Sequence, residues 1–315
     1  MSWTARDIPD QSGRTALVTG ANGGLGLEVA RALAGRGAHV VMASRNQDKA
    51  RNAQTDVKTS LPDASIEIRE LDLASLDSVD RLAKGLMEDF DRVDLLINNA
   101  GVMGIPERKT EDGFEMQFGV NHLGHFALTA HLLPLLVRTP GSRVVGVTST
   151  GRHFGQPVDP ENPHLEGVYE PWKAYGQSKL ANVHFALGLE RRFREAGATT
   201  ESNVAHPGLT HTDLQKTSVR ETGGGASQRF FHFLARRTGM SAARGALPIL
   251  RAATDQNASG GQLYTPRFVN FGDPVRRPLL SRSRNTQSIE TLFEVSARET
   301  GVDLDVEAAM EETRA

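Results

Sequence analysis

Tyr175 and Lys179 stand four residues apart in the segment Tyr-Gly-Gln-Ser-Lys, inside a stretch with helical periodicity. Side chains at this spacing lie on one face of a helix, so the phenol and the ammonium would be neighbours. A free phenol has a pKa of roughly 10, and a nearby positive charge favours its phenolate form. The spacing therefore indicates a general acid–base pair, although Tyr and Lys also occur four residues apart by chance.

A second chemical signal is the segment Thr-Gly-Ala-Asn-Gly-Gly-Leu-Gly at residues 19–26, which follows a short apolar run. Glycine permits positive φ and lets a pyrophosphate approach the backbone closely, while the start of a helix attracts phosphate. The segment predicts a dinucleotide site, against the alternative of an ordinary glycine-rich turn. The predicted cofactor contacts in this turn are Gly20, Asn22, Gly24, Leu25 and Gly26.

The choice of cofactor depends on the end of the second apolar run, which reads Ser44-Arg45-Asn46. An acidic residue there would bind the ribose 2′-hydroxyl of NAD, whereas arginine accommodates the 2′-phosphate of NADP. Because the acid is missing and a guanidinium is present, we expect NADP(H). The alternative is that Arg45 is a solvated residue at the start of a helix.

These residues need elements to position them, and the hydrophobic pattern alternates between strand and helix. The strand-like runs are 15–19, 39–43, 65–70, 93–97, 143–148 and 202–205. The helical stretches are 25–34, 47–59, 76–90, 111–137 and 173–195. Uniformly apolar strands between helices predict an α/β fold with a single doubly wound parallel sheet and helices on both faces.

Composition excludes several classes of protein. The 315 residues contain no Cys, which excludes a disulfide scaffold, a thiolate metal site and a cysteine nucleophile. A net charge of −2 gives no basic field for nucleic acid. No apolar run approaches the roughly 20 residues of a membrane span, and the polar N-terminus resembles neither a signal peptide nor an anchor. We therefore expect a cytoplasmic protein without metal.

Further motifs follow along the chain in a fixed order: Asn98-Asn99-Ala100-Gly101, Asn121, Ser149, the Tyr175–Lys179 pair, and Pro207-Gly208. Together with the glycine-rich turn, this series resembles the short-chain dehydrogenase/reductase family over about residues 14–270. Three features are most similar to its retinol-dehydrogenase-like branch. They are Asn-His-Leu-Gly-His-Phe at 121–126, the 26-residue spacing from Ser149 to Tyr175, and Ser-Lys-Leu-Ala-Asn at 178–182.

The resemblance implies a Rossmann fold and a role for each matching residue. Tyr175 would exchange a proton with the substrate oxygen, Lys179 would hold the nicotinamide ribose, and Ser149 would bind the substrate oxygen. Asn121 would hold a water that links Lys179 to solvent. Further implied cofactor contacts are Asp72, Leu73, Asn99, Ala100, Gly101, Pro207, Gly208, Thr210 and Thr212. The implied reaction is NADP(H)-dependent interconversion of a carbonyl and an alcohol on an apolar small molecule.

Two other functions remain open at this point. The same Tyr–Lys pair reduces a conjugated C=C bond in a related branch of the family. A dinucleotide-sensing protein without catalysis would keep the fold, although such proteins typically lose the Tyr or the Lys, and both stand here. The three histidines on one predicted helix (122, 125 and 131) could suggest a metal site, but packing or hydrogen bonding explains them better. We expect His206 to be a structural or substrate-loop residue.

The least regular part of the chain follows Pro207. The resemblance places a substrate lid at about 209–240, and residues 229–237 read Arg-Phe-Phe-His-Phe-Leu-Ala-Arg-Arg. This stretch could cover a lipophilic substrate, touch a membrane surface, or simply pack its Phe residues on the sheet. We expect a single domain over 1–315, with a core over 14–270 and an extension over 271–315. A homodimer through helices 111–137 and 173–195 is possible, unless the proline-bearing insertion before Lys173 covers that surface.

Overall fold

The apolar runs form the strands of one sheet. The computed structural model describes residues 2–210 and 239–313. The strands are β1 (Thr15–Thr19), β2 (His39–Ser44), β3 (Ile66–Glu70), β4 (Leu95–Asn98), β5 (Arg143–Val147), β6 (Glu201–Ala205), β7 (Leu263–Pro266) and β8 (Pro274–Arg277). Within the described residues their order is β3-β2-β1-β4-β5-β6-β7-β8, parallel except for β8, which is antiparallel to β7.

Helices cover both faces of this sheet. They are α1 (Gly24–Ala34), α2 (Gln47–Ser60), α3 (Leu76–Asp89), α4 (Met116–Phe118), α5 (Gly124–His131), α6 (Leu133–Val137), α7 (Pro171–Glu195), α8 (Ala242–Thr254), α9 (Thr286–Thr300) and α10 (Val306–Glu312). Short 3-10 helices span Ala5–Asp7, Thr150–His153 and Ser281–Arg284, and a π-helical turn spans Gly119–Leu123.

Alternate strand residues enter two separate cores, which explains why the strands are apolar throughout. Leu17 and Val41 pack in the core formed with α3, α5 and α7. Val18 and Met42 point the other way, into the core formed with α1, α2 and α8. A strand buried on both faces cannot alternate polar and apolar residues. The predicted doubly wound α/β fold is therefore confirmed.

The long helix predicted over 111–137 is wrong in its details. Its first residues form a turn, in which the Thr110 hydroxyl accepts a hydrogen bond from the Phe114 amide at 3.1 Å. Helical structure begins at Met116, widens into the π-helical turn, and is interrupted again before α6. Pro134 lies in the first turn of α6, where its missing N–H prevents α5 from continuing without a break.

The C-terminal part contributes more than the sequence predicted. The pair β7 and β8 was not predicted, and it extends the sheet beyond residue 270, where we had expected the core to end. Helix α9 packs on α7, where a Cβ on Gly188 would come within 2.3 Å of the Phe293 ring. The division of the chain into core and extension stays a prediction.

The described residues cover only part of the regions on which the membrane and lid predictions depend. Across residues 2–210 and 239–313, no helix combines the length and apolarity that crossing a membrane requires. Most of the predicted lid, including the aromatic and basic stretch 229–237, lies outside the described residues. At its two described ends, the Met240 amide donates to the Leu209 carbonyl at 2.8 Å.

Candidate active site

The predicted site residues come together at the carboxyl edge of the parallel strands. Asn99, Ala100 and Gly101 follow β4, Ser149 follows β5, and Pro207 begins the segment after β6. Helix α7 carries Tyr175 and Lys179 across the same edge. Open parallel sheets bind ligands at this edge, because loops from neighbouring strands meet there.

The glycine-rich turn has the geometry that a dinucleotide needs. Gly20 adopts φ +67°, and a Cβ on Gly26 would come within 2.4 Å of the Gly20 carbonyl oxygen, so these positions require glycine. Gly23 precedes α1 without a side-chain cap, and a Cβ there would meet nothing within 4 Å. The first N–H groups of α1 are therefore open to a phosphate, and this part of the chain fits the predicted cofactor.

A hydrogen-bonded network holds this turn against the loop after β4. The Thr19 hydroxyl accepts from the amides of Asn99 at 2.9 Å and Ala100 at 3.0 Å. Asn99 Nδ2 donates to the Thr19 carbonyl at 2.8 Å, and His125 Nε2 lies 2.9 Å from the Thr19 hydroxyl. His125 Nδ1 lies 3.1 Å from the Asn121 carbonyl, which can only accept, so Nδ1 carries the proton. Sequence reasoning missed this role of Thr19.

Tyr175 and Lys179 are both buried, and burial changes their proton affinities in opposite directions. Burial raises the pKa of Tyr175 to about 12, and a hydrogen bond with Ser149 offsets part of that rise. Burial also lowers the pKa of Lys179 to about 8. Lys179 Nζ lies 5.9 Å from the centre of the Tyr175 ring. The expected lowering of the phenol's pKa by the ammonium is therefore wrong for this structure, because burial outweighs it.

Asn121 is held rigidly by the π-helical turn that contains it. Its Oδ1 accepts from the Val102 amide at 2.7 Å, while its Nδ2 donates to the Val102 carbonyl and to the Ser178 hydroxyl, both at 2.9 Å. Asn121 Oδ1 and Lys179 Nζ both border Gly101, where a Cβ would approach them to 2.7 and 3.3 Å. The proton relay between Asn121 and Lys179 stays a prediction.

The residues predicted to select the cofactor lie together after β2 and β3. The Arg45 side chain is 73% exposed, and its Nη1 lies 3.5 Å from Asp72 Oδ2. Asn46 caps α2 by accepting from the Lys49 amide at 2.9 Å. Ser44 is buried at the end of β2, and Leu73 packs against Gly124. Arg45 is therefore the charged group in this cluster that is free to reorient toward a phosphate.

After β6 the chain turns sharply at Gly208, which adopts φ +77°. A Cβ at Gly208 would come within 2.7 Å of the Asn270 carbonyl oxygen, and the Leu209 amide donates to that same carbonyl at 3.0 Å. Thr210 pairs with Met240 in a short parallel bridge. The last predicted contact, Thr212, lies outside the described residues.

Of the other histidines singled out from the sequence, His122 has a structural partner and His206 has none among the described residues. His122 Nε2 lies 2.7 Å from the Ser296 hydroxyl on α9, and both residues are buried. Among the described residues, no group of His, Asp and Glu is arranged to hold a metal ion. His206 is 2% exposed, and neither of its ring nitrogens makes a hydrogen bond within residues 2–210 and 239–313.

Sequence reasoning also missed Arg152, which lies in the 3-10 helix directly after Ser149. Its side chain is buried at 8% exposure, and its Nη1 donates to the Ser149 carbonyl at 2.9 Å. In the part of the chain that the structure describes, no carboxylate pairs with it. Arginine is rarely buried without a carboxylate partner, so burial is what distinguishes Arg152. Because burial cannot be seen in the sequence, sequence reasoning had no signal for this residue.

The surface that could have formed a dimer interface is covered by this chain itself. The insertion before Lys173, which was one of the two alternatives for this surface, packs on α4, where Gln117 Nε2 donates to the Tyr169 hydroxyl at 2.9 Å. Helix α9 covers α7 instead, and the Arg192 guanidinium lies 3.7 Å from the centre of the Phe293 ring.

Fold and site together define an α/β protein with a dinucleotide-binding turn and a buried Tyr–Lys pair at the same edge of the sheet. The family model for short chain dehydrogenase matches residues 14–223. The chain belongs to this family, whose members use a nicotinamide dinucleotide.

Known relatives refine this assignment. Retinol dehydrogenase 11 of Mus musculus is 44% identical over 206 residues, 65% of this chain and 64% of that protein, so the chain spans about two thirds of such relatives. Retinol dehydrogenase 12 of Homo sapiens is 36% identical over 290 residues, covering 92% of this chain and 87% of its own. A crystal structure from Mycobacterium Paratuberculosis superposes with a TM-score of 0.80 at 38% identity, covering 96% of this chain and 99% of that one. The chain is retinol-dehydrogenase-like.

Proposed function

We propose that this protein is an NADP(H)-dependent oxidoreductase that interconverts a carbonyl and an alcohol on an apolar small molecule. The observation that carries the proposal is the arrangement of the partly buried Ser149 with the buried Tyr175 and Lys179 beside the glycine-rich turn. An apolar substrate is supported by the relatives, because retinol, after which Retinol dehydrogenases 11 and 12 are named, is an apolar alcohol. Cytoplasmic localisation stays a prediction.

In the reductive direction, Tyr175 acts as the acid. Its buried phenol is neutral at physiological pH and donates its proton to the substrate oxygen as negative charge develops there. The Ser149 hydroxyl donates a hydrogen bond to the same oxygen and stabilises that charge. The dinucleotide, when bound, supplies or accepts the hydride.

Lys179 acts on the proton rather than on the hydride. With a pKa near 8 it is mainly protonated at neutral pH, and its ammonium stabilises the Tyr175 phenolate that forms after proton transfer. In the oxidative direction this phenolate accepts the proton of the alcohol. Asn121 holds the backbone of Val102, and its Oδ1 borders Gly101 together with the Lys179 ammonium, so Asn121 lines the route by which Lys179 would exchange protons with solvent.

NADP(H) is preferred over NAD(H) in this proposal because Arg45 is exposed and only weakly paired with Asp72. A guanidinium that rotates from a 3.5 Å contact to a phosphate gains a stronger, charge-assisted hydrogen bond. We further propose that the protein is a monomer, since α9 covers the face of α7 on which a four-helix dimer would form.

Turnover of aldehydes, ketones and quinones with NADPH, compared with NADH, tests the proposal. We expect Tyr175→Phe to lower kcat by about 10²–10⁴-fold, because only the proton-donating hydroxyl is lost, with NADPH affinity nearly unchanged. Tyr264→Phe is the matched control: it removes a hydroxyl that donates to Gln262 at 2.6 Å, far from Ser149 along the sheet. Full activity of Tyr175→Phe contradicts the proposal.

Product analysis distinguishes the alternatives. An alcohol product supports carbonyl reduction, whereas a saturated C–C bond next to an intact carbonyl supports reduction of a conjugated C=C bond. Tight NADPH binding without turnover of any compound in the panel supports a dinucleotide-sensing protein. Light scattering on the same preparation checks the monomer, and a mass near twice 34.2 kDa contradicts it.

A further inference from the structure

Arg152 is a buried cation that has no counter-ion among the described residues. Its side chain is 8% exposed and donates one hydrogen bond, from Nη1 to the Ser149 carbonyl at 2.9 Å. No Asp or Glu of residues 2–210 and 239–313 forms an ion pair with it, and burial lowers its pKa without compensation from a negative charge. An unpaired buried guanidinium costs several kcal/mol of folding free energy, so such a group is rarely kept without a ligand.

His206 is a second buried polar group with unused hydrogen-bonding capacity. It follows β6 directly, beside Thr148 at the end of β5, where the Thr148 amide donates to the Ala205 carbonyl at 2.8 Å. Burial and, to a smaller extent, the Arg152 charge lower the pKa of His206 to about 3. The backbone carbonyls of Thr148 and Val269 oppose part of this lowering. Neither ring nitrogen makes a hydrogen bond in the described part of the chain. Neutral His206 therefore retains one N–H donor for a ligand.

Both groups lie next to the reacting atoms. The 3-10 helix that carries Arg152 packs directly on the catalytic phenol, since a Cβ on Gly151 would come within 2.7 Å of Tyr175 Cε1. The glycine-rich turn that would take the cofactor's pyrophosphate follows β1, two strands away from β5 in the sheet. The cofactor's phosphates would therefore lie away from Arg152, whereas a substrate whose oxygen contacts Ser149 and Tyr175 would lie beside it.

We propose that Arg152 and His206 bind a carboxylate of the substrate, so that the physiological substrate is an apolar compound with an acid group close to its reacting carbonyl. This inference rests on the proposed function and narrows its substrate class to oxo acids and their hydroxy acids. The carboxylate would accept from the guanidinium and from the imidazole N–H, while Ser149 and Tyr175 bind the carbonyl oxygen. A charge-assisted pair of this kind favours the acid over an uncharged ester by about 10- to 100-fold.

Two pairs of probes separate this inference from the proposed function. Turnover with NADPH is measured on 4-oxo-4-phenylbutanoate and its methyl ester. Binding to the NADPH complex is measured by calorimetry on 4-phenylbutanoate and its methyl ester, which lack the reacting carbonyl. We expect the wild type to prefer each acid by at least about tenfold. Arg152→Gln should bring both preferences close to one by raising KM for the acid far more than KM for the ester.

Controls keep the test decisive. Arg282→Gln removes a nearby exposed guanidinium that donates to the Gly155 carbonyl, and it should leave the preference for the acid intact. Arg152→Lys keeps the positive charge but loses the paired N–H donors of the guanidinium, so it should give an intermediate preference for the acid. His206→Gln should weaken binding of the acid. If Arg152→Gln does not fold, these two variants decide.

The outcomes are distinct. Equal binding of acid and ester by the wild type overturns the inference, as does an Arg152→Gln variant that lowers kcat equally for both, because Arg152 would then only position Ser149. Acid binding that depends on Arg152, without turnover of either oxo compound, supports the carboxylate site and contradicts the proposed oxidoreductase. Turnover of both oxo compounds with no preference for the acid supports the proposed oxidoreductase and contradicts the carboxylate site.

Discussion

Two buried histidines near the candidate active site have opposite hydrogen-bonding states. His125 and His206 are each 2% exposed, and burial lowers the pKa of both, to about 4 and about 3. His125, on the cofactor side, has partners for both ring nitrogens, in Thr19 and Asn121. His206, on the substrate side, has none among the described residues. The imidazole on the cofactor side is therefore fully hydrogen-bonded by the protein's own groups, whereas the imidazole on the substrate side keeps a donor for a ligand.

Glu115 tests whether hydrogen bonds from the protein are enough to stabilise a buried polar group. Both of its carboxylate oxygens accept hydrogen bonds, yet burial still destabilises its charged form. Burial raises the pKa of Glu115 to about 7, although the Gln117 and Phe118 amides donate to it at 2.8 and 2.6 Å. The folded state thus holds a proton that the unfolded state releases above pH 4.5. We expect this group to make the free energy of unfolding fall by up to about 3 kcal/mol between pH 4.5 and 7.

Chemical denaturation of wild type and Glu115→Gln across this pH range measures that contribution. The variant should lack this part of the pH dependence, and it should be less stable at low pH because an amide offers a single acceptor oxygen to two amides. The buried histidines contribute in the opposite direction, since stability is lost as pH falls below their unfolded pKa, and the difference between the two proteins cancels them. If the free energies of unfolding of the two proteins depend on pH in the same way, the two hydrogen bonds suffice to stabilise the charged form of Glu115.

On the cofactor side, the exposed Arg45 is the group whose pairing we expect to change on binding. Arg45→Ala should weaken NADPH binding by about 10- to 100-fold and leave NADH binding unchanged, because only NADPH carries the 2′-phosphate. Fluorescence titration with both cofactors measures the ratio. Arg51→Ala is the matched control, since Arg51 is an exposed arginine that pairs with Asp48 on α2, the helix that follows Arg45. An equal loss of affinity for both cofactors would contradict the NADP(H) proposal.

The comparison itself is tested by the same substitution at both histidines. His125→Leu removes two formed hydrogen bonds and should lower the free energy of unfolding by about 2 kcal/mol. His206→Leu removes a buried group without partners, so stability should be unchanged or higher by up to about 1 kcal/mol. Chemical denaturation without added substrate measures both. Equal losses of unfolding free energy at the two positions would mean that the His206 ring is as fully hydrogen-bonded as the His125 ring.

The sequence predicted the cofactor half better than the substrate half. The glycine-rich turn and the Tyr175–Lys179 pair depend on spacings of a few residues, which any helix or turn converts into a defined geometry. The long helix over 111–137 was misjudged because periodicity alone does not reveal the π-helical turn that places Asn121. The strands β7 and β8 were missed because each is only four residues long.

By itself, the sequence determined the doubly wound sheet, the dinucleotide turn and the acid–base pair, because local periodicity and spacing suffice for them. Only the tertiary structure decided three further properties. It left Arg152 buried without an acid among the described residues, placed His206 beside the end of β5, and covered α7 with α9. Each depends on contacts between residues far apart in the chain, and burial is a property of such contacts rather than of local sequence.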